Sequence, residues 1–135
     1  MNVNGACHCG QIRYEAVIDP AAVAICHCTD CQTITGSAFR VNVPAKKENF
    51  RILAGEPKTY LKTAESGAKR LQAFCSNCGT SIYATTEVDQ KIFGLRIGAL
   101  AQRGQLSPKK QIWCDSAMPW LGTIPGLPGA PRQPG

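Results

Sequence analysis

No apolar run in this chain approaches the roughly 20 residues that a membrane-spanning helix needs. The opening residues, Met1-Asn2-Val3-Asn4-Gly5, carry neither the basic nor the apolar stretch of a secretory leader. Both absences predict a protein that stays in the cytosol and has no membrane partner. There is also no internal repeat, and no low-complexity stretch before residue 121. No segment sustains a 3.6-residue hydrophobic period, which counts against long amphipathic helices. The cations do not form a stripe either. They sit in scattered pairs, Lys46-Lys47, Lys69-Arg70 and Lys109-Lys110, without the interleaved aromatics of a nucleic-acid surface.

What the chain does have is eight cysteines in 135 residues. Thiols in the cytosol are kept reduced, so cysteines there bind metal or do chemistry more often than they form disulfides. Seven of the eight fall into three groups: Cys7-His8-Cys9, Cys26-His27-Cys28-Thr29-Asp30-Cys31, and Cys75-Ser76-Asn77-Cys78. These are the spacings of zinc ligands. In an extended segment the thiols of Cys7 and Cys9 point the same way and the intervening histidine points away, so His8 and His27 read as surface or supporting residues. Cys75-x-x-Cys78-Gly79 is a knuckle in which a tight turn brings two thiolates onto one ion. Cys9-Gly10 echoes it. The natural four-thiolate site is therefore Cys7 and Cys9 with Cys75 and Cys78, because the middle group has three thiols of its own; the alternative lets the middle group complete the knuckle.

Cys26, Cys28 and Cys31 offer three ligands, which leaves a zinc there with a fourth position to fill. An exchangeable fourth ligand is the pattern of a catalytic zinc; Cys114 or a histidine in that position makes it a second structural site. Cys114, in Ile112-Trp113-Cys114-Asp115, reads as a packed or edge-strand thiol. The formal charge of +6 then needs correcting. Four thiolates around one divalent ion carry −2 and three around another carry −1, so the metal-loaded protein sits at about +3.

The length suits one compact domain. Gln11–Val17 alternates apolar and polar residues as a half-buried strand does. Residues 38–43, 49–53, 59–62, 70–74, 81–84 and 92–97 read as further short strands punctuated by Gly, Pro or Asn. Thr29 to Thr35 fits a short helical turn. The fold class is thus all-β, with small packed sheets over residues 1–120. Leu121 to Gly135 holds four prolines and four glycines and is predicted to run extended or disordered as a tail.

Gly5-Ala-Cys-His-Cys-Gly-Gln-Ile-Arg-Tyr14, Cys26-His-Cys-Thr-Asp-Cys-Gln32 with Thr35-Gly-Ser-Ala-Phe39, Phe74-Cys-Ser-Asn-Cys-Gly-Thr80 and Asp115-Ser-Ala-Met-Pro-Trp120 together resemble the glutathione-dependent formaldehyde-activating enzyme family, which includes centromere protein V. The resemblance covers about residues 4 to 120. It implies a beta-tent fold of small antiparallel sheets, a structural zinc on Cys7, Cys9, Cys75 and Cys78, and a catalytic zinc on Cys26, Cys28 and Cys31. It further implies a carbon–sulfur lyase handling a small thiol such as glutathione, as in its reversible addition to formaldehyde. Cations such as Arg40 and Arg13 are candidates for the glutathione carboxylates, with a surface charge as the ordinary reading of each. Asp30 reads as a turn residue, with a proton shuttle as the alternative. Two other functions compete with the lyase. One is a zinc-stabilised binding module for nucleic acid or protein. The other is a methionine sulfoxide reductase, which would need a reactive Cys114.

Overall fold

The computed structural model describes residues 1–134 and is all-β. Ten strands form two sheets: β1 (Asn2–Ala6), β2 (Arg13–Val17) and β5 (Phe50–Ala54) make the smaller one, in the order β1-β2-β5. The larger contains β3 (Ala24–Cys26), β4 (Arg40–Lys46), β6 (Lys58–Thr63), β7 (Lys69–Phe74), β8 (Ser81–Thr86), β9 (Ile92–Arg96) and β10 (Lys110–Ile112), in the order β10-β3-β4-β9-β8-β7-β6. Pairing is antiparallel except between β10 and β3, whose three paired residues run parallel. Among the described residues a single α-helix, α1 (Thr29–Thr35), occupies the predicted helical segment. Among the described residues, no helix is long and apolar enough to cross a membrane.

Period-2 alternation explains the core. Val3, Tyr14 and Ala16 of the smaller sheet and Val43, Ala45, Phe93 and Leu95 of the larger are buried in one cluster, while their strand neighbours are more exposed. Phe50 joins the two sheets. Its ring centroid lies 5.8 Å from that of Tyr14, 5.4 Å from Tyr83 and 5.0 Å from Phe93, and the Tyr14 and Tyr83 contacts are edge-on. Such pairs add about 0.5–1.5 kcal/mol each beyond simple burial.

Three strands escape the sequence patterns. β1 is built from Asn, Gly and Ala around a single Val, residues with weak strand preference, and β3 and β10 are only three residues long. The tail also departs from expectation. Leu121–Gly126 forms a 3-10 helix containing Pro125, held by backbone bonds such as Thr123 N–H to the Trp120 carbonyl. Proline is tolerated because short 3-10 turns ask little of its missing N–H.

Gly5 faces Tyr14 across the β1–β2 pair, and a Cβ there would overlap the buried Tyr14 ring, with Cε2 at 2.7 Å. Gly5→Ala should therefore cost about 1–3 kcal/mol in a urea unfolding measurement, as overpacking does. Gly98→Ala, where a Cβ meets nothing within 4 Å, should stay within about 0.5 kcal/mol of wild type.

Candidate metal centres

Cys7 and Cys9 lie in the turn joining β1 to β2, not in extended chain as the sequence suggested. The thiols converge because the backbone turns back. Gly10 N–H donates to the Cys7 carbonyl (3.0 Å) and Cys7 N–H to the Ile12 carbonyl (3.0 Å). The β7–β8 turn repeats this design. Gly79 N–H donates to the Cys75 carbonyl (2.8 Å) and Cys75 N–H to the Thr80 carbonyl (2.9 Å). Gly10 (φ 82°) and Gly79 (φ 79°) take the left-handed backbone that closes each turn, a conformation that disfavours any side chain.

The two turns meet. The sulfurs of Cys7, Cys9, Cys75 and Cys78 all lie within 4.8 Å of one another, with Cys7 to Cys9 at 3.6 Å and Cys9 to Cys75 at 3.7 Å. Tetrahedral thiolate ligands at the usual 2.3 Å from zinc would stand about 3.8 Å apart, so the donor set and its spacing fit that ion. Neighbouring dipoles prepare the thiolates: the Thr80 hydroxyl and backbone N–H, then the Cys9 backbone, hold the Cys78 thiol down to about 5. Asn77 and then the Gln11 backbone likewise hold Cys9 below the usual thiol range. The Ile12 N–H donates to Cys7 Sγ at 3.2 Å.

The second cluster forms at the junction of β3 and α1. Cys26 ends β3, Cys28 caps α1 by accepting the Cys31 N–H at 3.2 Å, and Cys31 sits in the first helical turn. The three sulfurs lie within 4.8 Å of one another. Burial pushes the Cys31 thiol up to about 12, reinforced by the Cys28 thiol. Burial also acts on Cys28, but the Cys31 N–H, the Cys31 and Cys26 thiols and the Lys62 charge outweigh it and hold that thiol low.

Several other candidates are placed differently from expectation. His8 is exposed and outside both clusters, as predicted. His27 also lies outside them, but it is not a surface residue: it is 1% exposed, bonded through Nε2 to Gln111 Oε1 (2.7 Å) and edge-on to Phe39. Cys114 is exposed in a 3-10 turn and belongs to neither cluster, after Trp113 in left-handed backbone. Asp30 belongs to the first turn of α1 and pairs with Lys62 (2.9 Å), tying the helix to β6. Arg13 is exposed on the smaller sheet. Arg40, expected at the surface, is 5% exposed.

Sequence reasoning missed the residues that brace the second cluster. Gln32 Nε2 donates to the His27 carbonyl (2.8 Å) and the Ser116 carbonyl (2.9 Å), fastening the Asp115–Trp120 segment to α1. Arg96, Gln72 and Lys62 were equally silent, because each occupies the polar phase of a strand and only the packing of distant segments buries it.

An all-β frame with two sets of converging thiols defines a small protein built around cysteine clusters that could hold metal ions. The chain belongs to the glutathione-dependent formaldehyde-activating enzyme family, whose model matches residues 2–116. A Schizosaccharomyces pombe protein named an uncharacterized lyase is 32% identical over 80 residues, covering 58% of this chain and 54% of that one. A Halomonas elongata protein, provisionally named a glutathione-dependent formaldehyde-activating enzyme, is 24% identical over 87 residues, covering 62% and 55%. The matches thus span about half the length of these relatives. The crystal structure of a Rhodobacter sphaeroides protein superposes with a TM-score of 0.61 at 18% identity, over 80% of this chain and 98% of that one, which is a likeness of fold.

Loaded with Zn2+, wild type should carry two ions per chain and Cys28→Ala one with its fold kept, as read by metal analysis and circular dichroism. Acid should release zinc from both clusters, because Cys31 in one and Cys75 in the other hold their protons more tightly than an ordinary thiol and must lose them for the ion to bind. Zinc release to a colorimetric chelator as the pH falls from about 8 to about 6, with Cys28→Ala reporting the four-cysteine site alone, checks it.

Proposed function

We propose that both clusters hold Zn2+, structurally at Cys7, Cys9, Cys75 and Cys78 and reactively at Cys26, Cys28 and Cys31. The protein then acts as a carbon–sulfur lyase on a thiol adduct such as S-hydroxymethylglutathione. The observation that carries this reading is the difference in donor number. Four sulfurs gather at one cluster and three at the other, with no fourth His, Cys, Asp or Glu joining the second among the described residues. Family membership supports the reaction class.

Zinc at the second cluster would supply a fourth coordination position at which a substrate thiol is acidified. Three thiolates leave that centre at −1, which suits delivering a thiolate better than polarising a carbonyl. In the cleavage direction, the carbon–sulfur bond of the hydroxymethyl adduct breaks and its electron pair stays on sulfur. The O–H pair becomes the second bond of the aldehyde carbonyl, and the proton leaves to water. The chain's part is to hold the geometry. The Cys28 cap and the Lys62–Asp30 pair fix α1, while Gln32 and the His27–Gln111 bond fix the backbone around Cys26 and Cys28. Such rigidity keeps the reacting sulfur in register with the aldehyde carbon. Reduced thiols at both clusters suit a cytoplasmic setting.

Exchange spectroscopy by NMR on glutathione and formaldehyde tests the proposal. Zinc-loaded protein should speed interconversion with S-hydroxymethylglutathione by at least about tenfold over Cys28→Ala, about 1.4 kcal/mol in barrier. Equal rates with the two proteins would sink the lyase reading.

A further inference from the structure

Two arginines lie buried next to the second cluster without an acid between them. Arg40 on β4 is 5% exposed and Arg96 on β9 is 8% exposed. Arg40 stands opposite Cys26 in the β3–β4 register, and Arg96 stands opposite Asn42 in β4–β9. Alternation places Arg40 and Asn42 on one face of the sheet, away from the core residue Val43. The two guanidinium groups converge on one acceptor: Gln72 Oε1 receives Arg40 Nη1 at 3.0 Å and Arg96 Nη2 at 2.6 Å. Arg96 Nη1 also donates to Asn42 Oδ1 at 2.6 Å. Arg40 Nε, Arg40 Nη2 and Arg96 Nε are buried with no acceptor at all.

This is an expensive arrangement for a stable fold. Burial first, and then the Arg40 charge, hold the Arg96 guanidinium below its ordinary range. A buried cation persists when an opposite charge compensates it. No carboxylate does so: the two ion pairs among the described residues are Arg51–Glu15 and Lys62–Asp30. The metal-loaded three-thiolate cluster supplies −1 against the +2 of the pair, leaving one positive charge unmatched. Two clefts border Arg96, of about 410 Å³ and about 520 Å³, and neither has an acidic residue in its wall. Arg40 and the exposed Arg103 add to the charge of the first.

We propose that Arg40 and Arg96 form a receptor for a carboxylate carried by the ligand whose sulfur reaches Cys26, Cys28 and Cys31. A planar fork matches a carboxylate through paired N–H bonds, and the orphaned nitrogens are the donors it would use. The class of ligand is then an acidic thiol, and a neutral thiol is a poor one. This rests on the thiol-site reading above, but the anion receptor can be tested apart from it.

Isothermal titration of the zinc-loaded full chain with mercaptosuccinate, 2-mercaptoethanol and thiol-free succinate makes the test. Mercaptosuccinate should bind at least about tenfold tighter than 2-mercaptoethanol, the scale of one charge-assisted contact. Arg40→Lys and Arg96→Lys, which keep the charge but lose the fork, should bring that ratio towards one, with circular dichroism confirming the fold. Equal affinity of wild type for the two thiols overturns the receptor and leaves the thiol site standing. Succinate binding that Arg96→Lys weakens, with no binding of 2-mercaptoethanol, upholds the receptor and refutes the thiol site. Failure of all three probes to bind overturns both.

Discussion

Four sulfurs drawn from two hairpin turns to within 4.8 Å of one another are the constraint on which the rest of this structure depends. Thiolates this close repel, so the arrangement requires protons or a shared cation, and several backbone dipoles favour the ionised form. The β1–β2 turn belongs to the smaller sheet and the β7–β8 turn to the larger. Their meeting pins one sheet to the other at a point far apart in sequence. Phe50 does the same job with apolar contacts, by packing on Tyr14 from its own sheet and on Tyr83 and Phe93 from the other. A chain this short gains from such a cross-link, since its core alone is small.

Much of this was legible because the chemistry is local. Cys-x-Cys and Cys-x-x-Cys spacing, each followed by glycine in one member, identify turns that gather thiols, and the structure groups the seven cysteines as spacing alone suggested. The helix over Thr29–Thr35 also matches its sequence signals residue for residue. The mechanism of convergence at Cys7 and Cys9 was misread, since extended chain and a tight turn both bring alternate thiols to one side. What sequence could not carry were the non-local burials. Arg40 and Arg96 alternate with apolar residues and so read as solvent-facing, and nothing within their own strands reveals what covers that face of the sheet. Which of its two readings His27 takes, surface or supporting, was hidden for the same reason, as its partner Gln111 lies 84 residues away.

The two clusters differ in more than ligand number. The first is made of turns locked by short backbone bonds and joins sheets. The second is made of a strand end and a helix start, and it is braced by polar side chains from β6 and β10 and by the Ser116 carbonyl, which accepts from Gln32 of α1. Polar bracing costs more to assemble than apolar packing but fixes orientation better. A centre that only holds the fold has little need of orientation, whereas one that presents a sulfur to an incoming carbon does.

Charge supports the proposal that the second cluster is a place for ligands. Lysine in place of Arg40 or Arg96 would be a compact, strongly hydrated cation, hard to desolvate and without a planar fork. Arginine reaches Gln72 and, at Arg96, Asn42 with part of its fork and leaves the remainder directed elsewhere. A built-in Asp or Glu beside the pair would occupy those donors permanently. The protein instead leaves them unmet inside its fold, beside three thiols that lack a fourth. A single molecule bearing a carboxylate and a thiol would meet both shortfalls, one of negative charge and one of a sulfur ligand.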